Sequence, residues 1–151
     1  MNTLTAEQLA TINSAIEILS GLYKKQDLFA TSPESVKQFC RLQAAHLEHE
    51  VFGVLLLDNQ HQLIESVTLF RGTIDGASVY PREVVKEVLS VNAAACIFFH
   101  NHPSSLAEPS DADRRITTRL IDALKLIDVR VLDHLIVTSR SAYSFAEAGI
   151  L

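Results

Sequence analysis

The chain has 151 residues, 48% of them hydrophobic and 21% charged, with a formal net charge of -5. That balance describes one folded domain and excludes a disordered chain. Basic residues occur only as scattered singles and pairs such as Arg114-Arg115, so composition argues against direct DNA binding, which rests on basic patches.

The opening MNTLTAEQLA has neither the basic nor the apolar segment of a secretory signal, and no apolar run approaches the ~18 residues of a bilayer span. A cytoplasmic protein without membrane contact is expected. Residues 5–24 predict a helix, because Leu9, Ile12, Ile16, Leu19 and Tyr23 recur at three- and four-residue steps. Thr5 and Gln8 have the spacing of a capping box. The apolar stripe suits packing on the chain's own core, and a homo-oligomer seam is its other use. Ser32-Pro33-Glu34 opens a second helix running to about Glu48. Val51–Leu57 and Leu63–Phe70, joined by the turn Asp58-Asn59-Gln60-His61, predict a hairpin.

Gly72 and Gly76 mark a loop, after which Pro81 opens a helix with Val84, Val85, Val88 and Leu89 on one face. Residues 95–99 predict a strand, Ser110 starts a long helix, and Val129–Thr138 and Ala142–Phe145 predict two final strands. Cys40 and Cys96 lack metal-type spacing and are expected as small buried hydrophobes. Mixed strands and helices around one sheet give an α/β or α+β sandwich.

The chemistry is concentrated in His100-Asn-His102-Pro and Ser110-x-x-Asp113. Side chains two apart share a strand face, so His100 and His102 point the same way if the strand persists to its end. Ile116, Leu120, Leu124 and Ile127 form the buried stripe of the long helix. Asp113 heads that stripe, and Asp111, about 200° away around the helix, faces solvent. Two imidazoles and one carboxylate make a three-ligand set, and a catalytic zinc keeps three ligands and leaves the fourth position for water. Taken alone, Ser110-x-x-Asp113 is also a capping box. Hydrolysis needs a base as well: Glu50, at the mouth of the first strand, is the candidate, with Glu48 as its alternative. His46 and His49 lack the order of a helical zinc motif and are expected to be solvated. Val131, Asp133 and Leu135 are expected on one strand face, with Asp133 and His134 as supporting polar residues rather than ligands.

Glu50, His100-x-His102-Pro and Ser110-x-x-Asp113 together resemble the JAMM (MPN-type) metalloprotease motif. Glu50-Val-Phe-Gly, Arg71-Gly72-Thr73, Tyr80-Pro81-Arg82-Glu83, His100-Asn-His-Pro-Ser104, Glu108-Pro109-Ser110 and Asp133-His134 resemble its RadC-like branch. One departure is Ser105, where that branch has Gly after Pro-Ser; it bears on the loop backbone and not on the ligands. The resemblance implies residues 29–151 as a JAMM/MPN-like, cytidine-deaminase-like domain, a curved mixed β-sheet flanked by helices, with residues 1–28 as an N-terminal helical extension. It implies one Zn2+ per chain held by His100, His102 and Asp113, Glu50 as the base and Ser110 as donor to the oxyanion. Cleavage of a peptide or isopeptide bond follows. Two other functions compete. A non-haem iron site shares the two-His, one-carboxylate set but has no use for Glu50 or Ser110. The second is a RadC-type DNA-repair or mobile-element accessory protein whose metal site is not proteolytic.

Overall fold

Val51–Leu57 (β1) is buried along its whole length, the pattern of a strand covered on both faces. The computed structural model describes residues 4–23, 32–72 and 79–151. Around β1 lie β2 (Leu63–Arg71), β3 (Ala95–Asn101), β4 (Arg130–Val137) and β5 (Ala142–Ser144), in the order β2-β1-β3-β4-β5. The sheet is mixed: β3 and β4 are parallel and every other neighbouring pair is antiparallel. Among the described residues four helices flank it: α1 (Ala6–Tyr23), α2 (Pro33–Ala44), α3 (Pro81–Ser90) and α4 (Asp111–Lys125). The mixed α/β architecture is the one expected. The boundary placed at residues 28/29, Thr73 and Gly76 lie outside the described residues.

Strand alternation sorts the core into two apolar clusters. On one face Val51, Leu55, Leu57, Ile97 and Phe99 pack against Val36, Phe39 and Cys40 of α2, with Ile16, Leu19 and Tyr23 of α1 above them. On the other, Phe52, Val54, Leu56, Cys96 and Phe98 meet Val84 and Val88 of α3 and Ile116, Leu120 and Leu124 of α4. Cys40 and Cys96 are fully buried, one in each cluster, and burial pushes the Cys96 thiol up to about 12. Gly53 has a steric reason. It pairs with Phe99, and a Cβ there would lie 2.3 Å from that ring.

Several boundaries differ from expectation. The box at the start of α1 forms, with Thr5 N–H donating to Gln8 Oε1 and Gln8 N–H to Thr5 Oγ1. α2, expected to reach Glu48, ends at Ala44. Beyond that end Asn101 Nδ2 donates to the carbonyls of His49 (2.9 Å) and Leu47 (3.3 Å), groups that a continuing helix would have turned along its own axis. Leu89, expected on the packed face of α3, is 57% exposed. In β4, Val131 pairs with Cys96 and Asp133 with Ile97, leaving Leu132 as an extra residue. This bulge reverses the alternation. Val131 packs with the α3/α4 cluster while Leu132 and Leu135 pack with the other, so Val131 does not share a face with Asp133 and Leu135.

Candidate metal centre

β3 stays extended to Asn101 and so carries His100 to the rim of the sheet. His100 pairs with Phe52 across the β1–β3 ladder and stacks on its ring, which places the imidazole on the α4 side. The turn His102-Pro103-Ser104-Ser105 follows, closed by Ser105 N–H on the His102 carbonyl (3.1 Å). Ser105 adopts φ +64°, a left-handed conformation for which glycine is the usual residue. The serine keeps the geometry of the turn.

α4 brings the third side chain. Its stripe of Ile116, Leu120 and Leu124 is buried, Asp113 at the head of that stripe is only 2% exposed, and Asp111 is exposed as expected. The capping box forms: Asp113 N–H donates to Ser110 Oγ (3.1 Å) and Ser110 N–H to Asp113 Oδ2 (2.7 Å). Asp113 Oδ1 is left to face His100 Nε2 at 3.2 Å. Capping and a place in the centre therefore coexist in the same carboxylate. Ser110 Oγ accepts in the cap, so its O–H proton is not used there.

His100 Nε2 lies 2.9 Å from His102 Nε2, and His102 Nε2 lies 3.6 Å from Asp113 Oδ2. All three ligand atoms fall within 4.8 Å of one another, the one such group of His, Cys, Asp or Glu among the described residues. His102 Nδ1 is 2.8 Å from the Leu106 carbonyl. A carbonyl only accepts, so Nδ1 carries a proton, and whenever the ring is neutral Nε2 presents a lone pair. That lone pair faces the Asp113 carboxylate, and oxygen and nitrogen donors gathered this closely repel unless a cation joins them. The donor set fits a metal ion bound through nitrogen and oxygen, including zinc.

The electrostatics agree. Burial pushes the Asp113 carboxyl up, but the two facing imidazoles and the Ser110 N–H outweigh it and hold the group well below the usual carboxylate range. Burial pushes His100 below its ordinary value, Asp113 opposing. The bond to Asp113 raises His102 despite partial burial. The Glu50 charge is the smallest of the upward influences on the two imidazoles. Its backbone is held firmly: the Glu50 carbonyl accepts Gly72 N–H (2.8 Å), and Asn101 accepts Val51 N–H at Oδ1 (2.7 Å). Gly72 has φ +111°, a conformation open to glycine. Glu48 is exposed at the bend before Glu50. His46 and His49 stay outside the ligand group and border a groove of about 560 Å³ lined also by Leu4, Leu9, Leu47 and His102.

Three residues that sequence reasoning did not place in the centre surround it. Asn101, between the two histidines, points to the other face and clamps the chain on both sides of Glu50. His134 is fully buried, with Nε2 at 2.8 Å from His100 Nδ1 and Nδ1 at 2.6 Å from Thr117 Oγ1. Thr117 Oγ–H donates to the Asp113 carbonyl at 2.6 Å. The spacing of Thr117, one turn after Asp113, was a signal for it. His134 was expected only as a supporting polar residue, and its signal was its place in the Asp133-His134 motif; the bulge in β4 sets its face relative to Val131. Asp133 lies on the opposite face, where Ser144 Oγ–H and the N–H groups of His134 and Ala146 donate to it. Burial raises its pKa against these bonds.

Residues 30–150 match the family described as RadC-like JAB domain. A UPF0758 protein of Vibrio cholerae is 59% identical over 140 residues, 93% of this chain and 87% of the relative. A UPF0758 protein of Chromohalobacter salexigens is 59% identical over 121 residues, 80% of this chain and 54% of that longer relative. One from Methylibium petroleiphilum is 52% identical over 146 residues, 97% of this chain and 65% of the relative. Among the described residues no helix is long and apolar enough to cross a membrane.

Proposed function

The chain belongs to the RadC-like JAB domain family, and from that premise we propose that it is a zinc-dependent hydrolase cleaving a peptide or isopeptide bond. The observation that carries the proposal is the convergence of His100, His102 and Asp113 within 4.8 Å. These three side chains would hold the ion. When bound, zinc supplies Lewis acidity, polarising a carbonyl and lowering a water's pKa from ~15.7 to about 7. Glu50 accepts the proton of the attacking water and delivers it to the leaving amine, the work of a positioned general acid–base. The Ser110 O–H, not used by the cap, donates to the oxygen that gains charge, and one such donor typically contributes about 10²–10³ in rate. The groove lined in part by His102 supplies room for residues flanking the scissile bond, since about 560 Å³ lies within the usual range of ligand sites.

The test is a peptide-library cleavage assay on zinc-loaded protein, with metal content measured in parallel. The wild type is expected to bind about one zinc per chain and to cut. Glu50→Gln should keep the zinc and lose cleavage, because glutamine cannot accept the proton. Cleavage by Glu50→Gln at the wild-type rate would remove Glu50 as base and leave Glu48 as the next candidate. Stoichiometric zinc in a His100→Ala/His102→Ala variant would reject the site itself.

A further inference from the structure

The polar residues behind His100 form a directed chain. Thr117 has a single hydroxyl proton, and it goes to the Asp113 carbonyl at 2.6 Å, a one-turn back-bond that a helical threonine commonly makes. Thr117 Oγ1 can then only accept from His134 Nδ1, 2.6 Å away. With its proton on Nδ1, His134 presents the Nε2 lone pair to His100 Nδ1 at 2.8 Å. His100 must therefore carry its proton on Nδ1, and its Nε2 is left as a lone pair aimed at the point it shares with His102 and Asp113.

The His134 ring cannot turn away from this task. Phe145 stacks on it at 4.8 Å, and Phe52 and Phe98 meet it edge-on at 5.4 and 6.1 Å. Its backbone carbonyl accepts Phe145 N–H (3.1 Å), and its N–H donates to Asp133. Its ring nitrogens thus have one partner each, and both partners belong to the wall of the centre.

We propose that Thr117 and His134 are positioning residues that fix the tautomer of His100, so that the centre meets an incoming divalent cation with the lone pair of His100 already in place. The inference rests on the metal-site reading above and extends it. A histidine ligand is ordinarily oriented by the partner of its other ring nitrogen. Here that partner is a second histidine, whose own tautomer is set by a hydroxyl whose proton is committed elsewhere. Removing the hydroxyl oxygen at position 117 frees His134 to move its proton to Nε2 and donate to His100. His100 would then hold its proton on Nε2, directed at Asp113 Oδ1, where a metal would have to displace it.

The experiment is long-range ¹H–¹⁵N NMR on histidine-labelled, metal-free protein, followed by zinc titration against a competing chelator. Wild type and Thr117→Ser are expected to show His100 protonated on Nδ1. Thr117→Val, close in shape, is expected to show His100 protonated on Nε2, to bind zinc about 10–100-fold more weakly, and to melt lower in the metal-free form because His134 Nδ1 loses its partner. A threonine with a merely structural role would lower the melting temperature through its lost hydrogen bonds and leave the tautomer and the zinc affinity alone. His100 protonated on Nε2 in the metal-free wild type, or an unchanged tautomer in Thr117→Val, would overturn the proposal. A wild type with His100 protonated on Nδ1 that binds no zinc would instead overturn the metal-site reading, because the tautomer is read without metal.

Discussion

The two faces of the sheet use the same strands for different work. Towards α1 and α2 the odd-numbered residues of β1 and β3 form an apolar layer around Phe39, Leu55 and Phe99. Its polar exceptions, Asn101 and Asp133, hold chain segments in place through backbone contacts. Towards α3 and α4 the even-numbered residues are equally apolar as far as Phe52 and Phe98. The layer then gives way to His100, His134, Thr117 and Asp113, all at most 2% exposed. A buried polar group is costly unless it is paired, and each of these has its partner in the next. One face secures the sheet; the other turns its rim into a place where lone pairs converge.

Breaking the first face should cost stability and spare the centre. Phe39→Ala removes a fully buried ring from the α1/α2 side, where it also meets Tyr23 edge-on at 5.6 Å. The expected loss is about 3–5 kcal/mol, read by denaturant unfolding. Zinc stoichiometry in the folded fraction should be unchanged. Loss of zinc from protein that is still folded would mean that the two faces are not separable.

Ser110→Asp probes the second face in the opposite sense. Aspartate caps a helix as well as serine does, so melting should stay near the wild-type temperature. A carboxylate beside the developing oxyanion should lower cleavage by at least the ~10²–10³ that one donor contributes. A variant both stable and fully active would leave Ser110 as a helix cap alone.

Acid should separate the faces next. Burial holds His134 well below its ordinary 6.5 and lowers His100 too, both on the α3/α4 face. As pH falls below about 6.5 the unfolded chain takes up protons at both positions and the folded chain resists, so stability declines by up to ~1.4 kcal/mol per pH unit per group. His102 is raised by Asp113 and acts the other way. Its contribution is fully present below 6.5 and is lost as pH rises through its folded value. Two groups against one predict a net fall in the melting temperature of the metal-free protein on acidification. A flat profile would mean that His100 and His134 are charged in the fold.

The smallest effect belongs to the turn between the faces. Ser105 holds φ +64°, a conformation that is costly for a residue with a Cβ. Ser105→Gly should relieve that cost, set against the extra freedom glycine gives the unfolded chain. The net gain expected is about 0.5 kcal/mol, visible as a small rise in melting temperature. A fall would assign more weight to the Ser105–Ser139 hydroxyl contact at 3.3 Å.

What lay in the sequence alone was whatever depends on near neighbours along the chain. The spacing of His100 and His102 on an extended segment, the box of Ser110 and Asp113, and the buried stripe that turns Asp113 inward and Asp111 outward all follow from strand and helix periods. The tertiary structure decided what depends on how distant segments meet. The extra residue Leu132 sets the face of His134 relative to Val131, and the Asp133-His134 motif marked a polar role without saying that His100 stands opposite. The segment between the end of α2 at Ala44 and β1 is held by Asn101 from another strand. The link from Thr117 through His134 to His100 joins α4, β4 and β3. Periodicity says which way a side chain points from its own element. Only strand register and helix packing say what stands opposite it, and hydrogen bonds over less than 3 Å depend on that.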